Sequence, residues 1–164
     1  MGSFKSPRSK SGEYSIWRPL QIGLLLGGNT LGQAAWSEDF GRHLGLAFQT
    51  VDDIIGSFGD PEQTGKSADS DILERKLTLL FFLAHAQASP EQQQILHDFY
   101  TNTGTASVGD IKHIFQATAA NTRAREFART HCSQALEALQ KSGLSFEQTA
   151  SLAELAHFLT ERTA

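Results

Sequence analysis

The stretch Phe48-Gln49-Thr50-Val51-Asp52-Asp53-Ile54-Ile55-Gly56 holds the residues best suited to chemistry. Wound as a helix at about 100° per residue, it places Gln49, Asp52, Asp53 and Gly56 in one stripe about 100° wide. The stripe lies beside an apolar face of Leu44, Phe48, Val51 and Ile55. Two adjacent carboxylates so close to a core-facing surface are costly unless a cation neutralises them. Oxygen donors without cysteine or histidine select a hard ion, magnesium above all, which commonly shares its coordination with phosphate groups. On spacing alone, Asp52 and Asp53 read equally well as solvated surface residues. Lys10, Lys66 and Lys76 shift that balance. Ammonium groups facing a carboxylate–magnesium centre suit a diphosphate leaving group, whose charge grows as the carbon–oxygen bond breaks. Each lysine alone reads as an ordinary solvent-facing residue.

Other signals are weaker. Gly59 to Ser67 resembles a phosphate-binding P-loop, but five residues separate its glycines where four are required. It also follows an acidic helix instead of a buried strand, so the P-loop reading is rejected. His43, His85, His97, His113, His131 and His157 show no pair at metal-ligand spacing, which argues against zinc. His131-Cys132 reads as a pair on a helix face, and Asp71 as a helix cap first and a phosphate-site residue second.

The elements that must position these residues read as helices throughout. The chain has 164 residues, 40% of them hydrophobic and 20% charged, which suits one folded domain with a core. Tyr14–Leu26 carries Ile16, Leu20, Leu24 and Leu25 at helical steps; Pro19 predicts a kink or a late start, and Gly27-Gly28-Asn29 a stop. Ser37–Phe58 forms the acidic helix, ended by Gly59-Asp60-Pro61, and a polar loop runs from Pro61 to Ser70. Asp71-x-x-Glu74 has capping-box spacing before Leu73, Leu77, Leu80, Phe81 and Ala84, predicting a third helix. Ser89-Pro90-x-Gln92 opens another. Ile111, Ile114 and Phe115 mark a short helix, and residues 122–141 a long one stopped by Gly143. Ser145-x-x-Gln148 opens the last, with Leu152, Leu155, Phe158 and Leu159 inward. No alternating strand, repeat or low-complexity tract occurs. The fold class is all-α, a helical bundle. Residues 1–164 read as a single domain, with 1–6 set aside as a tag or disordered start because Met1-Gly2-Ser3 looks like a vector scar.

Composition also narrows the partners. Fourteen basic against eighteen acidic residues leave a net charge of −4, which argues against nucleic acid or an anionic membrane surface as partner. No apolar run approaches the roughly 18–20 residues of a membrane span, and no secretory apolar region follows Met1. Cys132, the one cysteine, has no internal disulfide partner, which fits a reducing cytoplasm.

Together these residues resemble the trans-polyprenyl diphosphate synthase family, geranylgeranyl diphosphate synthase-like, and its C-terminal half only. The resemblance runs through Lys10-Ser11-Gly12-Glu13-Tyr14 and Phe48-Gln49-x-x-Asp52-Asp53. It continues through Phe58-Gly59-Asp60-Pro61-x-x-Thr64-Gly65-Lys66 and Ser70-Asp71-Ile72-x-Glu74-x-Lys76-x-Thr78. It implies an isoprenoid synthase-type bundle that condenses an allylic prenyl diphosphate with isopentenyl diphosphate, 1′-4, with Mg2+ assisting ionisation. It implies that Asp52 is a metal ligand and Asp53 its partner, that Lys10, Lys66 and Lys76 hold the allylic diphosphate with Ser11 and Gln49, and that Phe48 lines the hydrocarbon tunnel. Asp52, Lys10 and Lys66 are then the catalytic set. Three departures stand out: Gly56 at the last position of the aspartate-rich motif, Asp69 where glycine is frequent, and the residues flanking Lys76, with Arg75 where glycine is common and Leu77 where arginine or glutamine is common. The family's first aspartate-rich motif does not occur in these residues, so the resemblance implies a chain inactive alone: either a fragment of a longer synthase, or a chain completed by self-association or by a chain carrying the N-terminal half. The alternative reading is a non-catalytic helical subunit that modulates a complete synthase. A class I terpene cyclase-like protein is a third, disfavoured by Thr64-Gly65-Lys66 and Lys10-Ser11.

Overall fold

The computed structural model describes residues 13–32, 34–60 and 69–162, and among them every regular element is helical. A π-helical turn, Glu13–Trp17, runs into α1 (Arg18–Leu26), followed by α2 (Trp36–Phe58), α3 (Ser70–Leu73) and α4 (Leu79–His85). Then come α5 (Pro90–Tyr100), α6 (Val108–Ala117), α7 (Ala120–Gln140) and α8 (Phe146–Thr160). Pro19 sits in the first turn of α1, so the late start expected from the sequence is what occurs. The boxes at Ser89/Gln92 and Ser145/Gln148 form as read, and Ser107 with Asp110 makes a third that the sequence reading passed over. The chain divides into two compact units, and α2 and α7 each run from one into the other.

The first unit takes residues up to Gln49 and from Ala128 to Glu161. Its core packs Phe40, Leu44 and Ala47 of α2 with Cys132, Ala135, Ala138 and Leu139 of α7 and Ala156 of α8. Ile16, Leu20, Leu152 and Leu159 lie partly buried against it. The expected inward face of α8 is corrected in part, because Leu155 and Phe158 are exposed. That helix carries apolar residues around most of its circumference, and only the side bearing Ala156 meets the core.

A polar contact inside this unit links two residues 88 apart in sequence. His43 Nδ1 and His131 Nδ1 approach to 2.8 Å, with ring centres 5.0 Å apart and planes tilted by 26°. The rings therefore meet nitrogen to nitrogen, and one must donate. Arg42 Nη2, which can only donate, lies 3.2 Å from His43 Nε2. His43 thus accepts at Nε2 and donates from Nδ1 to His131. Burial, then the Arg42 charge, lowers the His43 pKa below its ordinary value, with Asp39 and Glu137 opposing. Burial, then the charges of His43 and Arg42, lowers that of His131, with Gln134 opposing. A depressed folded-state pKa stabilises above the unfolded value of about 6.5 and is lost as pH falls through the lowered values. Thermal melts between pH 7.5 and 5 are expected to show falling stability that His43→Gln flattens; an equally steep fall in that variant would remove the pair as its cause.

The second unit takes Thr50–Phe127. Its core gathers Ile54 of α2, Ile72 of α3, Leu80 and Ala84 of α4, Leu96 and Phe99 of α5, Ile111, Ile114 and Phe115 of α6, and Ala120 and Ala124 of α7. The single helix expected from Asp71 onward is corrected here. Helix α3 ends at Leu73, Arg75 has φ +52, Thr78 is extended, and α4 starts afresh at Leu79. Leu73 and Leu77, expected inward, are exposed in consequence. The Asp71 cap is corrected too: Asp69 stands at the N-cap without a side-chain cap bond, and Asp71 is buried inside α3.

Candidate functional site

The second half of α2 is covered on every side. Thr50, Val51, Asp53, Ile54, Ile55, Gly56 and Ser57 are all buried, and helical spacing distributes those positions around the whole circumference. A helix buried all round is central to its unit. Asp53 is only 7% exposed, whereas Asp52 is half-buried. By helical angle Asp52 lies nearer than Asp53 to the face of Leu44, Phe48, Val51 and Ile55. The order reverses because a second apolar surface, Ile54 with Ile72 and Leu80, covers the other side of the helix. The solvated-surface alternative therefore fails for Asp53.

Beside this stretch lies the carboxylate of Asp71, its side chain 7% exposed. A Cβ built on Gly56 would come within 2.6 Å of Asp71 Oδ2 and 2.7 Å of its Cγ, so the space a side chain at 56 would enter holds this carboxylate. Ser70 Oγ donates to the Gly56 carbonyl at 3.5 Å, keeping α3 against α2 there. Gly56, a departure from the family pattern, thus makes room for a carboxylate from another helix.

Lys76 closes the group. Its Nζ donates to Asp71 Oδ1 at 2.6 Å. This hydrogen bond, and then the Asp71, Glu74 and Asp53 charges, raises the lysine pKa above its ordinary value against partial desolvation. Tyr100 faces the same charge; burial first and Asp71 second push its phenol up to about 12, so it remains protonated at neutral pH. Asp69, the second departure, forms an ion pair with Lys112 of α6 and so adds no uncompensated negative charge.

Asp53, Asp71 and Lys76 are thus neighbours, and Asp52 precedes Asp53 on the same helix. Gln49 and Phe48 are half-buried in the turn before, while Lys10, Ser11 and Lys66 lie outside the described residues. The sequence reading missed Tyr100 and the buried role of Asp71, for which no short-range signal exists.

The donors can be tested against magnesium. Among the described residues no three of His, Cys, Asp and Glu gather into a ready-made metal site. Magnesium does not need one, because it keeps several waters and takes one or two carboxylates together with phosphate oxygens. Asp71 Oδ2 supports the fit: it is buried and has no hydrogen-bond donor among the described residues. An unsatisfied carboxylate oxygen beside the Asp52-Asp53 turn suits a hard cation or its bound water.

Residues 4–118 match the polyprenyl synthetase family profile. The chain belongs to the polyprenyl synthetase family. This synthetase-family chain is 30% identical over 149 residues to a farnesyl diphosphate synthase of Mycobacterium tuberculosis, covering 88% of this chain and 42% of that protein. It is 34% identical over 142 residues to a short chain isoprenyl diphosphate synthase of Methanothermobacter thermautotrophicus, covering 87% and 43%. In three dimensions it is similar to geranylgeranyl pyrophosphate synthase from Corynebacterium glutamicum, a structure complexed with isoprenyl diphosphate and magnesium. That match has a TM-score of 0.85 and 32% identity, over 95% of this chain and 45% of the other. The polyprenyl synthetase-like chain therefore spans less than half the length of these relatives. No described helix is long and apolar enough to cross a membrane.

Proposed function

We propose that this chain is the diphosphate-ionising part of a prenyltransferase. The observation that carries the reading is the pair of buried carboxylates, Asp53 and Asp71, beside Asp52, with the half-exposed Lys76 bonded to Asp71, in a chain of the polyprenyl synthetase family. The substrates are an allylic prenyl diphosphate and isopentenyl diphosphate. Asp52 and Asp53 hold magnesium, which when bound neutralises diphosphate charge and assists its departure. Lys76, with Lys10 and Lys66, binds the phosphate oxygens, Ser11 and Gln49 support them, and Phe48 lies against the prenyl chain. In the reaction the allylic carbon–oxygen bond breaks and diphosphate leaves with the electron pair. The isopentenyl double bond attacks the allylic carbon, and loss of a proton restores an alkene.

These 164 residues contain one Asp-Asp pair, so in this reading the second carboxylate set of a complete synthase lies outside them. In this reading the chain alone does not turn over. It works when joined to the other half of the bundle, supplied by a further part of the same protein, by a second copy or by another chain.

The test is a thermal melt with geranyl diphosphate, with and without magnesium chloride. At a hundredfold excess over Kd, binding should add about 2.7 kcal/mol of stability. Asp52→Ala should lose the magnesium-dependent part and keep its unliganded melting temperature. A magnesium response that survives in Asp52→Ala would refute the assignment.

A further inference from the structure

The turn that delivers Lys76 has an unusual residue at its pivot. Lys76 N–H donates to the Asp71 carbonyl at 3.0 Å, and Arg75 N–H to the Ile72 carbonyl at 2.9 Å. This bonding pattern is a Schellman motif, whose left-handed position is usually glycine. Here it is Arg75, at φ +52. A long side chain in that conformation is disfavoured and needs a compensating contact.

The Arg75 side chain supplies one. Its Nε donates to the Phe99 carbonyl at 2.9 Å and its Nη2 to Asn102 Oδ1 at 2.7 Å. The guanidinium also lies 5.2 Å from the centre of the Phe99 ring. These acceptors end α5 in a second Schellman motif: Thr103 N–H bonds the Asp98 carbonyl, Asn102 N–H the Phe99 carbonyl, and Asn102 has φ +59. A cation at a helix C-terminus is also favoured by the negative end of the helix dipole. One arginine therefore fastens the turn after α3 to the end of α5, and the next residue is Lys76.

We propose that Arg75 is a positioning residue for Lys76: its clasp on Phe99 and Asn102 holds the turn so that the Lys76 ammonium rests on Asp71 beside Asp53. The proposal deepens the prenyltransferase reading, because it assigns Arg75 the task of presenting a diphosphate-binding lysine. Without the clasp, the half-exposed Lys76 side chain is free to leave Asp71 for solvent.

Arg75→Gly separates this role from simple helix capping. Glycine removes the clasp and relieves the left-handed backbone, so the variant folds with a melting temperature near that of the parent chain. Lys76 should then be acylated about tenfold faster, read by peptide mass spectrometry, as expected for loss of a charge-assisted hydrogen bond. Calorimetric affinity for inorganic diphosphate with magnesium chloride should fall by about the same factor. Asn102→Gly, which keeps its backbone conformation and removes one acceptor, should shift both readings the same way by less. If Arg75→Gly fails to fold, Asn102→Gly decides. Unchanged Lys76 labelling in a folded variant overturns the proposal and leaves Arg75 a cap. If the parent chain binds no magnesium–diphosphate, the functional reading fails, while Lys76 labelling still decides the positioning role.

Discussion

Lys76→Met is expected to destabilise the Thr50–Phe127 unit by about 3 kcal/mol, the lower end of the cost of stranding a buried charge. Asp71→Asn should cost only about 1 kcal/mol. The asymmetry follows from where the partners sit. The Lys76 side chain is half-exposed and can move into water when its partner is lost, whereas Asp71 is 7% exposed and cannot. Among the described residues only one of its oxygens is paired, and Lys76 provides that bond. Urea denaturation at pH 7.5 checks the ranking, and an Asp71→Asn cost equal to or above that of Lys76→Met would contradict it. The pH dependence has a definite sign. A lysine pKa raised in the folded state contributes stability that is fully present below the unfolded value of about 10.4 and disappears as pH rises through the raised value. Alkaline destabilisation above that point should therefore be weaker in Asp71→Asn than in the parent chain.

Gly41→Ala should cost about 2–3 kcal/mol, at the upper end of core overpacking. A Cβ at residue 41 would lie 2.5 Å from Trp17 Cβ, 2.6 Å from its Cα and 2.8 Å from its N. Two of those atoms are backbone and cannot rotate away, so the π-helical turn would have to lift from α2. The Arg18 guanidinium covers the Trp17 ring at 4.0 Å, so its displacement should also change tryptophan fluorescence. Gly23→Ala is the control. Nothing lies within 4 Å of its Cβ position, and alanine in a helix interior is favoured over glycine by up to about 1 kcal/mol. Equal melting temperatures for the two alanine variants would show that Gly41 is not under steric constraint.

Much of this arrangement was legible in the residues themselves. The periodic apolar positions of α2 and α6 marked helices, and the Ser–Gln pairs at 89/92 and 145/148 marked helix starts, because both signals are local. The order of motifs from Lys10 to Thr78 carried the family, because motif chemistry needs fixed residues at fixed spacing. The segment after Asp71 was misread for a physical reason. Leucines at helical steps describe a continuous helix, but a left-handed Arg75 breaks it, and its side-chain bonds to Phe99 and Asn102, distant in sequence, help to hold that conformation.

The same division runs through the candidate site. That Asp52 and Asp53 share a helix with Gly56 follows from covalent order and the helical repeat alone. Which of the two is buried does not, because burial depends on what covers each side of the helix. The seat of the Asp71 carboxylate at Gly56 and the meeting of His43 with His131 were likewise decided only in three dimensions. Local spacing sets which residues can face one another along an element, whereas desolvation and pairing are properties of packed neighbours that the chain brings together only on folding.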